Sequence, residues 1–125
     1  MNKQFIDNRG SIEELIQETF TVDGVVYIYS NAGSRRADHY HKYSSHWCIL
    51  SSGLVSYYER PVGSNEKPTL RRFEPNQPFF TAPMMEHTMI FEKDSEMLCL
   101  RVGGSKNQDD YENDLVRIDI KLDEL

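Results

Sequence analysis

The chain has 125 residues, 38% of them hydrophobic and 27% charged, with a formal net charge of −6 and a mean hydropathy of −0.62. That length predicts one domain over 1–125 with a core of its own, and the acidic balance argues against a nucleic-acid partner, whose phosphates need a basic face. No apolar run approaches the ~20 residues of a membrane-spanning helix, and Met1 to Phe5 lack the apolar stretch of a secretory signal, so the expected compartment is the cytoplasm.

The first element signal is the turn Asp7-Asn8-Arg9-Gly10. The stretch 11–19 then reads two ways. Ser11-Ile12-Glu13-Glu14 is a capping box, and Ile12, Leu15 and Ile16 have helical spacing. After it, strand signals take over: 25–29, 46–50, 54–58, 69–73, 78–81, 87–91 and 97–100 are runs rich in β-branched, aromatic and other apolar residues. Ser51-Ser52-Gly53 and Glu74-Pro75-Asn76-Gln77 read as turns, and Arg60 to Pro68 as a longer hairpin loop. Gly103 to Asp110 reads as a flexible connection to a tail, 103–125, in which 114–120 alternates like a last strand. Short strands at regular spacing predict an all-β sandwich or barrel. Cys48 and Cys99 fall in two of these strands and are expected as buried free thiols rather than a disulfide.

The chain has four histidines. His39 and His41 are two apart, which on a strand points both to one face. His46 and His87 each open a further strand signal. A buried neutral imidazole left without partners costs about 1–3 kcal/mol, and several rings converging in an apolar interior cannot all carry charge. One divalent cation would satisfy their lone pairs together. The expectation is therefore one divalent transition metal ion (Fe, Ni, Zn, Mn or Cu) on His39, His41, His46 and His87.

The segment Gly33 to Gly53 resembles the first cupin motif, G-x5-H-x-H-x4-E-x6-G, with Gly33, His39, His41 and Gly53 in place and His46 at the glutamate position. The segment 76–91 resembles the second, G-x5-P-x-G-x2-H-x3-N, in which Asn76 and Met84 stand at glycine positions, Ala82 at the proline, and Phe91 at the asparagine, while His87 is retained. The resemblance implies a double-stranded β-helix, the jelly-roll cupin barrel, and favours a strand over a helix for 11–19. A further pattern links Asp7, Arg9-Gly10-Ser11, Tyr27-Ile28-Tyr29 and Arg35-Arg36-Ala37-Asp38-His39-Tyr40-His41-Lys42. It resembles nucleotide-sugar cupins, the dTDP-sugar 3,4-ketoisomerases and dTDP-4-dehydrorhamnose 3,5-epimerases, with Ala37 where those isomerases have glycine.

That second resemblance implies a small-molecule ligand, His39 as a general base beside a ketone, and arginines on a diphosphate, with Arg35, Arg36 and Arg60 as candidates at the pocket mouth. Those enzymes work without metal, so the two readings meet at His39. A metal-dependent dioxygenase and a non-catalytic binding or sensor cupin are the alternatives. Glu86, beside His87 but expected to point away, and Tyr27 are further acid–base candidates. Trp47 alternates with His46 and is expected on the opposite face. Small cupins often pair by sheet edges, so a homodimer exchanging the 114–120 strand is expected.

Overall fold

The computed structural model describes residues 3–103 and 113–125; the predicted connection beyond Gly103 lies outside them. Among the described residues eleven strands follow one another. They are β1 (Lys3–Asp7), β2 (Gly10–Glu14), β3 (Gly24–Ser30), β4 (Arg35–His41), β5 (Ser45–Ser52) and β6 (Val55–Pro61), then β7 (Thr69–Phe73), β8 (Phe79–Thr81), β9 (Met85–Phe91), β10 (Ser95–Val102) and β11 (Leu115–Arg117). A 3-10 turn at Leu122–Glu124 follows the last of them. Two sheets, ordered β3-β10-β5-β8 and β11-β4-β9-β6-β7, make the body, and β1 and β2 form a separate hairpin. No helix among the described residues is long and apolar enough to cross a membrane.

The hairpin makes Gly10–Glu14 a strand, while the rest of the ambiguous stretch, 15–19, is neither strand nor helix. Asp7 accepts the Arg9 backbone N–H at 2.9 Å and pairs with Gly10, so the turn residues close a tight loop. The supposed capping box then lies against β1, Ser11 opposite Ile6 and Glu14 opposite Lys3. A ladder partner supplied by the turn outweighs a marginal one-turn helix. Strand β1 itself carried no strand signal in the sequence reading.

Alternation decides what enters the barrel. In β5 the burial pattern alternates strictly from Ser45 to Leu50, placing His46, Cys48 and Leu50 inside. Facing them in register on β10 are Arg101, Cys99 and Met97. On β9, His87, Met89 and Phe91 are buried. Each of these strands therefore runs from a polar or charged residue at one end of the barrel to an apolar one at the other. At the apolar end Leu50, Val55, Tyr57, Phe79, Phe91 and Met97 form the core, with Phe73 stacked on Phe79 at 4.4 Å. Trp47 lies on the outer face as expected, with Phe80 at 5.0 Å and Phe20 at 6.4 Å.

The tail departs from the reading in the length of its strand. Only Leu115–Arg117 is strand, shorter than 114–120. It pairs with β4 of its own chain, Leu115 opposite His41 and Arg117 opposite His39. The pairing covers a strand edge that would otherwise present open backbone groups.

Candidate functional site

The site begins with an irregularity in β4. Its register on β9 runs Arg36 opposite Met89 and Ala37 opposite Thr88, then steps to His39 opposite His87. Asp38 is the extra residue of a β-bulge. Ala37 and Asp38 take the left-handed region, at φ 72° and 55°. The bulge reverses the alternation of side chains, so Arg36 before it and His39 and His41 after it all line one cavity. The Asp38 carboxylate holds this geometry. It accepts from Arg35 at 2.9 and 3.0 Å and from Thr88 Oγ1 at 2.8 Å.

Two non-glycine residues at motif glycine positions carry the same backbone demand. Asn76 has φ 65° and Met84 φ 62°. At Gly53, with φ 100°, an added Cβ would fall 2.0 Å from Ser95 Oγ, so this motif glycine answers both to conformation and to space.

All four imidazoles come together. Ring centroids lie 4.7 Å apart for His39 and His41, 4.7 Å for His39 and His87, 4.6 Å for His41 and His46 and 5.8 Å for His41 and His87. Three of them, His39, His41 and His87, offer ligating nitrogens all within 4.8 Å of one another. His46 adjoins His41 but stands outside that group. Thr81 and Arg101 complete the polar lining.

Hydrogen bonds set the tautomers. His87 Nδ1 donates to the Met85 carbonyl at 2.9 Å, which leaves its Nε2 as the acceptor. His41 Nδ1 donates to Asp114 Oδ2 at 3.0 Å, both groups almost fully buried. Asp114 also accepts from the Ser44 hydroxyl and from the Tyr43 N–H at 2.5 Å. His39 Nδ1 is buried with no hydrogen-bond partner among the described residues.

Burial, reinforced by the neighbouring rings, pushes His39 down to about 2, and likewise His46 to about 3. Burial lowers His87 to about 4. Burial also lowers His41, against the pull of the Asp114 carboxylate. Burial raises the Asp114 carboxyl, but hydrogen bonds from Ser44, Tyr43 and His41 outweigh that and leave it below its ordinary value. At neutral pH the site is therefore a set of uncharged imidazoles with one carboxylate behind His41.

The other candidates divide. Arg36 lines the cavity, its Nε on Ser30 Oγ at 2.8 Å. Arg35 does not line it; it is tied between Asp38 and Asp123, the latter at 3.1 Å, and braces the bulge. Arg60 is likewise away from the lining, paired with Glu86 at 3.3 Å, and Glu86 points out of the site as expected. Tyr27 is 57% exposed and donates to Glu96 at 3.0 Å on the outer face, because its neighbours Val26 and Ile28 take the cavity side of β3. The sequence reading missed Asp114 and Arg101. Asp114 lies 73 positions from His41, and nothing local marks it. The Cys99/Arg101 alternation was the available signal for Arg101.

Two facing antiparallel sheets, closed around an imidazole-lined cavity, define an RmlC-like cupin jelly roll. Among solved structures the chain is similar to the sugar 3,4-ketoisomerase QdtA from Thermoanaerobacterium thermosaccharolyticum in complex with TDP, at 19% identity and TM-score 0.72, covering 93% of this chain and 83% of that one. It is similar to a 3,4-ketoisomerase from Helicobacter canadensis at 25% identity and TM-score 0.70, covering 98% and 89%. A dTDP-4-dehydrorhamnose 3,5-epimerase from Elizabethkingia anophelis NUHP1 matches at 15% identity and TM-score 0.69, covering 87% and 69%. No family model matches the sequence, and neither does any curated protein.

Proposed function

We propose that this chain isomerises or epimerises a nucleotide-linked keto sugar, with His41 as the group that moves the proton. The observation that carries this reading is the buried His41–Asp114 pair at 3.0 Å, set in a cavity beside further imidazoles. A carbonyl acidifies the C–H on its neighbouring carbon. With Nδ1–H held by the carboxylate, the Nε2 lone pair of His41 is the one that takes that proton. Asp114 stabilises the imidazolium that forms and keeps the ring in the productive tautomer. Returning the proton to the former carbonyl carbon, while the hydroxyl proton passes between the two oxygens of the enediol, moves the keto group; protonation of the original carbon from its opposite face, by water or a second acid, inverts the centre.

The cationic side chains fit the rest of the task. Arg36 and Arg101 line the same cavity, and a guanidinium suits both a developing enolate oxygen and a diphosphate. The similar solved ketoisomerases include QdtA in complex with TDP and a histidine-to-asparagine mutant of it in complex with TDP-4-keto-6-deoxyglucose, which supports the choice of substrate class. The nucleotide-sugar resemblance gives the base role to His39. We assign it to His41, because the carboxylate orients that ring, and keep His39 as its neighbour on the substrate.

The test is deuterium uptake at the sugar carbons, followed by NMR with a dTDP-4-keto-6-deoxy sugar in D2O. His41→Asn is expected to lose at least about 100-fold in exchange rate. Unchanged exchange in that variant overturns the assignment.

A second reading has its own support. His39, His41 and His87 fit a divalent transition ion: their nitrogens cluster within 4.8 Å, and the Nδ1 bonds of His41 and His87 leave Nε2 as the ligating atom, the arrangement that orients metal-binding imidazoles. Such an ion, when bound, would polarise a substrate carbonyl as a Lewis acid. Elemental analysis of protein purified without a nickel column tests it. Stoichiometric metal that His87→Ala loses supports this reading; metal-free protein with full turnover removes it.

We also infer a homodimer. Phe5, Ile6 and Ile12 of the hairpin are 58%, 70% and 69% exposed, and Tyr27, Tyr29, Leu98 and Phe80 are exposed on the outer sheet face. A second copy is the partner that would bury both. Sedimentation giving only monomer at micromolar concentration removes this inference.

A further inference from the structure

Two groups in the cavity take no part in the chemistry above. Cys48 on β5 and Cys99 on β10 lie directly opposite each other in the sheet register, and both line the cavity wall. They are free thiols and buried. Their sulfurs are 2.8 Å apart, against about 2.0 Å in a formed disulfide. The two strands that carry them are hydrogen-bonded along their length, so the backbone already fixes the pair within bonding reach. The apolar neighbours Met89, Met97 and Ile28 offer neither sulfur a competing polar partner of their own.

We propose that Cys48 and Cys99 form a redox site that a hydroperoxide oxidises to a cross-strand disulfide. An oxidant small enough to enter the cavity meets both sulfurs on its wall. One thiol sulfur attacks a peroxide oxygen, the O–O bond breaks, and a sulfenic acid and one water form. The second sulfur then attacks the sulfenic sulfur, and the hydroxyl leaves with the second thiol proton as another water. In total two thiols and one hydrogen peroxide give one disulfide and two waters, with two electrons passing from sulfur to oxygen. Because the second thiol lies in contact, this closure outruns further oxidation to sulfinic acid. The product ties residues 48 and 99 together across the sheet and replaces two thiols on the cavity wall with a bond. The proposal is independent of the sugar chemistry.

The test uses the whole chain, reduced and then exposed natively to dilute hydrogen peroxide. After quenching, it is denatured, alkylated with N-ethylmaleimide and digested without reductant. The expected result is a linked peptide joining Cys48 to Cys99, no maleimide on either, and recovery of both alkylated cysteines after dithiothreitol. Methionine oxidation adds oxygen without producing that linked peptide, so it does not imitate the result. Cys48→Ser and Cys99→Ser are each expected to carry the remaining sulfur on to an oxygenated acid. Two maleimide-labelled cysteines in the peroxide-treated parent, or two oxygenated cysteines without a cross-link, would overturn the proposal whether or not the variants fold.

Discussion

The two ends of the barrel interior are built from the same strands yet differ in kind. Along β9 the buried residues pass from Phe91 through Met89 to His87, and along β5 from Leu50 through Cys48 to His46. At the apolar end side chains meet across the two sheets: Tyr57 lies 5.1 Å from Phe79, and Phe91 and Leu50 are wholly buried. At the other end imidazoles and guanidiniums surround a cavity. One end excludes water and supplies stability; the other gives up packing to hold neutral bases and positive charge at a chosen point. Tyr57 marks the boundary, its hydroxyl on Thr81 Oγ1 at 2.6 Å and its ring 6.1 Å from that of His87.

The largest effect should come from the apolar end. Phe91→Ala is expected to cost about 3–5 kcal/mol in urea unfolding; a loss below about 1 kcal/mol would mean that the supposed core does not carry the fold. Asp114→Asn probes the other end. Turnover of the keto sugar should fall about 100-fold or more, with a smaller stability loss of about 1–3 kcal/mol from the buried network. A variant with full turnover and an intact fold would reduce Asp114 to a structural strut.

Acid should also separate the two ends. The folded chain holds His39, His46 and His87 at about 2, 3 and 4, against about 6.5 in an unfolded chain. Below pH 6.5 the unfolded state therefore binds protons that the folded state refuses. The contribution is fully present above 6.5 and is lost progressively as pH falls toward the folded values. Thermal unfolding followed by circular dichroism should give a lower Tm at pH 4.5 than at pH 7.5, and a flat profile would contradict neutral burial of these rings. The smallest effect belongs to the bulge. Ala37→Gly relieves a left-handed alanine at φ 72° and should add about 0.5–1 kcal/mol without changing turnover. A loss of stability instead would mean that the alanine methyl packs to advantage there.

Much of this is legible in the sequence. Period-two alternation marks His46, Cys48 and Leu50 as one face, and the motif spacing brings His39, His41 and His87 to a common site. The failures are specific. Arg35 and Arg36 look equivalent in sequence, yet a single extra residue at Asp38 sends Arg36 to the cavity and Arg35 to two carboxylates. Tyr27 falls on the outer face because its neighbours Val26 and Ile28 take the inner one.

The amino-acid order by itself determined the strand-rich character, the inward alternation and the shared face of His39 and His41, because those follow from local periodicity, and the resemblance to the cupin motifs added His46 and His87 to that site. Tertiary structure alone decided that Asp114 stands behind His41, that β11 returns to β4 of the same chain, and that Cys48 meets Cys99. Each of these joins segments tens of residues apart, where no local pattern acts and only the closing of the two sheets brings the side chains within reach.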